Sequence, residues 1–438
     1  MGDRTSKAGA IFRVSSGNFF EMYDFQVYAY YAVYIAHAFF PSKNEFASLM
    51  ASLGTFAAGN LMRPLGALVL GAYIDSHGRR AGLLLSLALM AVGTAAIALT
   101  PSYAQIGIAA PLLILAARLL QGFSAGVQLG GVSVYLAEIA PPGRVGFFTA
   151  WQSASQQVSV MLAAGFGVIL SLILPPTSMD AWGWRTPFVL GCLIVPLLLM
   201  LRRSLEETEV FLSKTERPGM GKLMGSIVSH WQLVLTGMFL IAMTTATFYV
   251  TTAYTPTFGQ TVLHLSAQSS RLVTVFVGLS NFIWLPIFGA VSDRVGRRPV
   301  LITFSLISML TAYPVMLWLV AAPSFWRLLA AELWLSLMFG GYNGALTAYL
   351  TEIMPFRVRT MAFSLAFSLA TAVFGGMSPV ICTWLIHQTG NPAMPGVWLA
   401  FVALCGLGAT IASVGVVRRA AVADALVASA QLSPAGTA

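Results

Sequence analysis

Gly71-Ala72-Tyr73-Ile74-Asp75-Ser76-His77-Gly78-Arg79-Arg80 lies between two long apolar runs. The chain repeats it at Gly289-Ala290-Val291-Ser292-Asp293-Arg294-Val295-Gly296-Arg297-Arg298, again between apolar runs. Both copies keep a glycine, an aspartate four residues on, a second glycine and two arginines. Such a loop places an acid at a helix end, turns at glycine and starts the next helix with cations held at a membrane surface. One copy falls in each half of the 438 residues, which predicts two halves of one architecture.

Composition agrees with a membrane setting. Only 9% of the chain is charged, 57% is hydrophobic and the mean hydropathy is +0.79, whereas soluble domains carry about 25% charged residues. A net charge of +9 raises the possibility of nucleic acid, but no basic cluster interleaved with aromatics supports it. Cys192, Cys382 and Cys405 all fall in apolar runs, with no disulfide spacing and no metal-ligand cluster. Burial as small apolar side chains accounts for them. The polar, basic stretch 1–13 precedes an apolar run too long for the core of a signal peptide and without a clear cleavage site, so it is expected to stay attached.

A membrane-crossing helix needs about 20 mostly apolar residues. Twelve such runs occur, at 14–39, 48–73, 81–101, 110–136, 146–174 and 186–202, then 230–258, 270–291, 299–321, 326–354, 360–388 and 396–417. The expected fold is therefore an all-α integral membrane protein. Residues 1–202 form one six-helix bundle and 230–420 a second, with 203–229 as a polar cytoplasmic linker and 421–438 as a cytoplasmic tail. If both termini are cytoplasmic, 18 of the 24 cations lie inside and four lie outside, namely Lys43, Arg185, Arg271 and Arg327. Arg63 and Arg118 remain within the membrane. That split sets the orientation. The halves match again at Tyr135-Leu136-Ala137-Glu138 and Tyr349-Leu350-Thr351-Glu352. On the same offset Gly126 and Gly130 fall on Gly340 and Gly344, a spacing that lets helices pack closely.

Charges inside a membrane are functional candidates because they are costly to keep there. Glu21 and Asp24 lie three apart in the first span, and Tyr28 and Tyr31 extend their face. Asp24 sits near mid-span and Arg63, beside Asn60, near the middle of the second. Arg118 lies about five residues outside the midpoint of the fourth, roughly 7–8 Å along the axis, with Gln121 and Gln128 continuing its face inward. Softer polar candidates are Gln152 and Gln156 in span 5, Tyr254 before Pro256 in span 7, Asn281 in span 8 and Asn343 in span 10. Glu332, five residues after Arg327, reads as half of a local surface pair. Asp75, Arg79, Arg80, Glu138, Asp293, Arg297, Arg298 and Glu352 gather at the cytoplasmic edge, where they would hold the inner ends of the bundles together as a gate. No nucleophile–base pair, metal-ligand spacing or phosphate-cradling loop occurs, so an enzyme reading has no site, and neither a cofactor nor a metal is expected.

The two loop copies resemble the signature of the major facilitator superfamily between helices 2 and 3 and again between 8 and 9. The first copy departs from it at Ser76, where the family usually has Arg. Gly17-Asn18-Phe19-Phe20-Glu21-Met22-Tyr23-Asp24-Phe25, Arg63-Pro64-Leu65-Gly66, Arg118-Leu119-Leu120-Gln121-Gly122 and Trp182-Gly183-Trp184-Arg185-Thr186-Pro187-Phe188 resemble the metabolite:proton symporter family. Two further stretches, 130–157 and 242–257, resemble its bacterial citrate and tricarballylate branch. The resemblance covers residues 15–415 and implies a multi-pass protein of the bacterial inner membrane, working as a monomer in the bilayer.

It further implies import of a small carboxylate by alternating access, with protons as the coupling ion. The residues themselves favour an anion, because the intramembrane cations are arginines, whose planar forks hold carboxylates bidentately. Asp24 and Glu21 are the candidate coupling acids and Arg118 the expected partner of Asp24. Ketoglutarate, shikimate or betaine transport, exchange, export and ligand sensing are the alternatives left open.

Overall fold

The computed structural model describes residues 22–77, 79–126, 128–193, 231–354 and 359–432. Every expected run is helical where it is described. The first half comprises α1 (22–39, broken at Tyr31), α2 (Glu45–Leu61 continuing as Arg63–His77), α3 (Arg79–Leu99), α4 (Ala109–Ala125 continuing as Gln128–Ile139), α5 (Val145–Ile173) and α6 (186–193). The second half comprises α7 (Trp231–Thr261), α8 (Ala267–Val295), α9 (Arg297–Ala321), α10 (Phe325–Ile353), α11 (Arg359–Thr389) and α12 (Met394–Leu432). Among the described residues, seven of these helices are long and apolar enough on their own to cross a membrane. The stretch expected as a tail continues α12 as helix to Leu432.

Local chemistry sets the ends. Asn44 caps α2 by accepting from the amides of Phe46 and Ala47 at 3.0 and 3.4 Å. Ser266 and Ser324 do the same for α8 and α10, satisfying amides that have no partner within the helix. Gly296 closes α8 at φ +98°, a conformation that side chains with a Cβ rarely adopt. Two helices change pitch in mid-membrane: α7 has a π-turn at Tyr249–Tyr254 and α11 one at Thr371–Gly375. Each precedes a proline, Pro256 or Pro379, which offers no N–H to the carbonyl four residues back. Wide turns of this kind often mark functional positions.

The expected repeat is visible in the packing. In the first half α2 meets α4 through glycines: a Cβ on Gly122 would stand 1.6 Å from the Gly59 carbonyl oxygen, and one on Gly126 2.2 Å from that of Arg63. In the second half α8 meets α10 the same way, with a Cβ on Gly344 2.7 Å from the Leu285 oxygen. Between the halves, α5 runs along α8 and α2 crosses α11. The central core is built on α1, whose Phe25, Tyr28, Tyr31 and Phe39 are all essentially fully buried.

Gly122→Ala is therefore expected to destabilise the fold by ~1–3 kcal/mol, the usual cost of overpacking a core. Gly54→Ala, also in α2 but with nothing within 4 Å, should be neutral or stabilise by about 0.5–1 kcal/mol. Thermal unfolding of the two purified variants in detergent checks the contrast.

Candidate functional site

Between the halves lies a narrow cleft, partly open to solvent. The first half lines it with Met22, Arg63, Ser153 and Gln156; the second contributes residues of α7, α10 and α11, among them Thr244, Tyr249, Asn343 and Thr371. Both π-turns thus reach the cleft. Arg63, Gln156 and Asn343 were expected near a substrate and stand here.

Behind the cleft, α1 presents aromatic faces to buried cations. The guanidinium of Arg63 lies 4.3 Å from the Phe25 ring centre. Arg118 lies 4.5 Å from the same ring, 4.5 Å from Tyr28 and 5.0 Å from Phe56. Two guanidiniums therefore share one ring. The negative face of each ring offsets part of the cost of burying them. Tyr28 is fixed in turn by its hydroxyl, which donates to the Ser52 carbonyl at 3.3 Å.

Arg118 and Asp24 do not touch; two neutral side chains join them. Arg118 Nη1 donates to Gln121 Oε1 at 2.7 Å, and Gln121 Nε2 donates to Thr94 Oγ1 at 2.9 Å. The Thr94 hydroxyl donates to Asp24 Oδ2. All three hydrogen bonds run in one direction, from cation to acid, across α4, α3 and α1. Arg118 keeps its Nε and Nη2 without a hydrogen-bond partner among the described residues. That edge of a guanidinium is one that receives a carboxylate side-on. Thr94, a lone hydroxyl in an apolar run of α3, carried no signal in the sequence.

Other expected residues bind helix to helix. Asn60 accepts from the Tyr249 hydroxyl at 3.0 Å across the two halves. Asn281 donates to Gln157 at 3.1 Å, also across the halves, and accepts from Ser336. Gln152 accepts from its neighbour Ser153. Tyr254 accepts from Thr383 within the second half, away from the cleft. Glu21 and the side chains of Gln128, Asp75, Arg79 and Arg80 lie outside the described residues.

The residues expected to form a gate are described in their second copy. Asp293 does not cap its own helix; its two oxygens accept from the amides of Gly146 and Phe147 at 2.8 and 2.9 Å, the first turn of α5 in the other half. Arg297 pairs with Asp293 at 2.7 Å and with Glu352 at 3.1 Å. A carboxylate on helix N-terminal amides is favoured by charge and dipole together. Arg298 is partly buried beside this network, and Glu138 is exposed.

Two assignments need correction. Glu332 is not a surface residue paired with Arg327. It is 2% exposed and accepts from Thr255 at the end of the α7 π-turn, 2.9 Å away, while Arg327 donates to the Trp318 carbonyl. Arg271, assigned to the outer surface, is wholly buried between the halves.

Residues 14–368 match the Major Facilitator Superfamily. The chain belongs to that superfamily. It is 57% identical over 407 residues to a citrate-proton symporter of Salmonella typhi, covering 93% of this chain and 94% of that protein. With a citrate-proton symporter of Klebsiella pneumoniae it shares 56% over 418 residues, 95% and 94% of the two chains. The fold matches a partially occluded inward-open structure of the xylose transporter XylE from E. coli, with a TM-score of 0.72 at 18% identity over 92% of this chain and 95% of that one. The protein is thus a multi-pass membrane transporter and not an enzyme.

Asp293 ties the two halves at the arginine-rich end through charge-assisted bonds of ~1.5–3 kcal/mol each. Asp293→Ala should therefore raise the population open at that end by an order of magnitude or more. Pulsed electron-spin distances between labels at Val145 and Val295, on a cysteine-free chain, would lengthen; an unaltered distribution would show that the clamp lies elsewhere.

Proposed function

We propose that this transporter imports a tricarboxylate, citrate or tricarballylate, together with protons across a bacterial inner membrane. It works as a monomer with both termini and the arginine-rich loops in the cytoplasm, it needs neither cofactor nor metal, and it has no nucleic-acid partner. The observation that carries this reading is the hydrogen-bonded chain Arg118–Gln121–Thr94–Asp24 beside a cleft lined by a second arginine. The names of its relatives in Salmonella and Klebsiella support citrate as the substrate.

With Asp24 ionised, the chain is polarised from end to end and part of the Arg118 charge is answered within the protein. A proton on Asp24 removes that answer. The two guanidiniums around Phe25 then hold a positive charge that a polycarboxylate supplies with its counter-ion, one carboxylate at Arg63 in the cleft and another on the free edge of Arg118. Each ligand raises the affinity for the other, and this reciprocity is symport expressed as linkage. Release of the Asp293 clamp then opens the loaded cleft to the cytoplasm, as the halves rock about it. Glu21, three residues before Asp24, is the second coupling acid in this scheme.

Proteoliposomes should accumulate citrate when the outside is acidic, and an uncoupler should abolish accumulation. Asp24→Asn mimics the protonated acid: it should exchange labelled for unlabelled citrate yet fail to accumulate it, whereas Glu21→Gln should keep some accumulation. Thr94→Val leaves both charged ends in place and breaks the chain, so it should lower the accumulation ratio more than the affinity. Normal accumulation by Asp24→Asn would place the coupling acid elsewhere.

Arg118→Lys replaces a planar fork with a point charge. Its citrate affinity, read by calorimetry, should fall about tenfold or more. Wild-type affinity in this variant would move the anion site away from α4.

A further inference from the structure

Arg271 lies near the start of α8, at the end of the bundle opposite Asp293. Its Nη1 donates to Ser171 Oγ on α5 at 2.6 Å, and its guanidinium lies 4.8 Å from the ring centre of Tyr31 and 5.5 Å from that of Tyr34 on α1. The Ser171 hydroxyl is itself occupied, donating to the Gly167 carbonyl at 2.9 Å. Arg271 Nε and Nη2 and the Tyr31 hydroxyl have no hydrogen-bond partner among the described residues, although all three are buried. Tyr31 Oη and Arg271 Nε both lie against Gly167 of α5. A Cβ at Gly167 would stand 3.0 Å from Tyr31 Oη and 3.4 Å from Arg271 Nε.

The unmet groups are two guanidinium N–H donors on one edge and a phenolic O–H. A carboxylate is their complement, since it only accepts and its two oxygens offer about four lone-pair sites. A side-on guanidinium edge takes both oxygens at once. No salt bridge reaches Arg271 among the described residues, and a buried cation without an anion is costly. Tyr31 is one helical turn beyond Tyr28, the ring that faces Arg118, so this spot lies about 4.5 Å further along α1 from the central arginines. It also sits at the break in α1, where Tyr31 has φ −110° and ψ 16°.

We propose that Arg271 and Tyr31 form a second carboxylate site, on the outer side of the cleft, that takes one carboxylate of the incoming polycarboxylate before it reaches Arg63 and Arg118. Tyr31 comes from the first bundle and Arg271 from the second, so a carboxylate first taken by one of them meets the other as the outer ends close. A carboxylate held there draws α1 and α8 together and favours closure behind the substrate. The bond to Ser171 uses Nη1 and leaves the Nε–Nη2 edge to the carboxylate. This site rests on the polycarboxylate reading above and deepens it.

The test is citrate uptake kinetics in proteoliposomes of the full chain. Arg271→Gln should raise KM at least about tenfold while Vmax changes only a few-fold. Arg271→Lys should not restore KM, and Tyr31→Phe should raise it by a smaller factor. The KM effect should be larger for tricarballylate than for a dicarboxylate such as glutarate, because a shorter-handed anion has no carboxylate left for the outer site. Ser171→Ala removes only the anchor and should change KM much less. If Ser171→Ala reproduces Arg271→Gln, or the effect is equal for both anions, Arg271 is a latch between helices and the outer site is wrong. Should Arg271→Gln fail to fold, Tyr31→Phe with the two anions decides by the same criterion. Wild-type protein that does not accumulate citrate would defeat the polycarboxylate reading itself; accumulation by wild type with unaltered KM in both Arg271→Gln and Tyr31→Phe would defeat only the outer site.

Discussion

Holding guanidiniums in the interior of a membrane protein is the constraint around which this structure is arranged. Three of them, Arg63, Arg118 and Arg271, are at most 1% exposed. Each lies on an aromatic face of α1: Arg63 on Phe25, Arg118 on Phe25 and Tyr28, Arg271 on Tyr31 and Tyr34. These rings recur at every third position, so they form one slowly turning stripe. Because α2, α4 and α8 each bring their arginine to that stripe, α1 has to occupy the middle of the molecule. The glycine contacts of α2 with α4, and of α8 with α10, bring the helices to that distance.

The same arrangement places a chemical tie at each end of the α5–α8 seam. At one end Asp293 holds the first turn of α5; at the other Arg271 holds Ser171 near its last turn. Gly146 and Gly289 allow backbone contact at the first end, and Gly167 leaves room for Arg271 at the second. Both ties are closed in this structure, and between them Asn281 bonds Gln157. Breaking one while keeping the other turns the pair into a lever with its pivot near the middle. The ties differ in kind. Asp293 is an anion satisfied by helix amides, whereas Arg271 is a cation with donors to spare, so only the second is open to control by an anionic substrate.

Much of the fold was legible in the sequence because membrane helices are written in long, separate runs and the repeated loop marks equivalent places in each half. Where described, the runs begin and end within a few residues of the helices, except the last, whose helix runs on from the expected 417 to Leu432. The site was legible only in part. Asp24, Arg63 and Arg118 announce themselves as charges in apolar surroundings. Arg271 does not, because a cation four residues into a helix looks like a surface charge until the other bundle is laid over it. Glu332 misled for a related reason: Arg327 is its neighbour in sequence, but its partner Thr255 is 77 residues away and is turned towards it by a π-turn that residue spacing does not reveal. Asp293 was expected at the edge where the bundles meet, but that its partners are the first amides of α5 is something no local pattern could show.

Thr94 is the most instructive of the residues the sequence left unmarked. An acid and an arginine on neighbouring helices invite a direct pair, and a direct pair in a dry interior would hold the carboxylate in its charged form too firmly to exchange a proton during each cycle. Interposing Thr94 and Gln121 lengthens the separation while keeping communication, because each bond in a polarised chain strengthens the next. In the proposed coupling, the ends feel each other weakly enough for Asp24 to take a proton and strongly enough for Arg118 to register it. The hydroxyl is the element that permits reversal: it donates to an ionised carboxylate and can accept from a protonated one. Thr94 also lies 3.0 Å from the Met90 carbonyl within its own helix, so its proton has somewhere to turn when Asp24 no longer needs it. A valine of the same shape would pack equally well and could do neither, which is why the coupling role proposed for this position rests on its chemistry rather than on its place in the core.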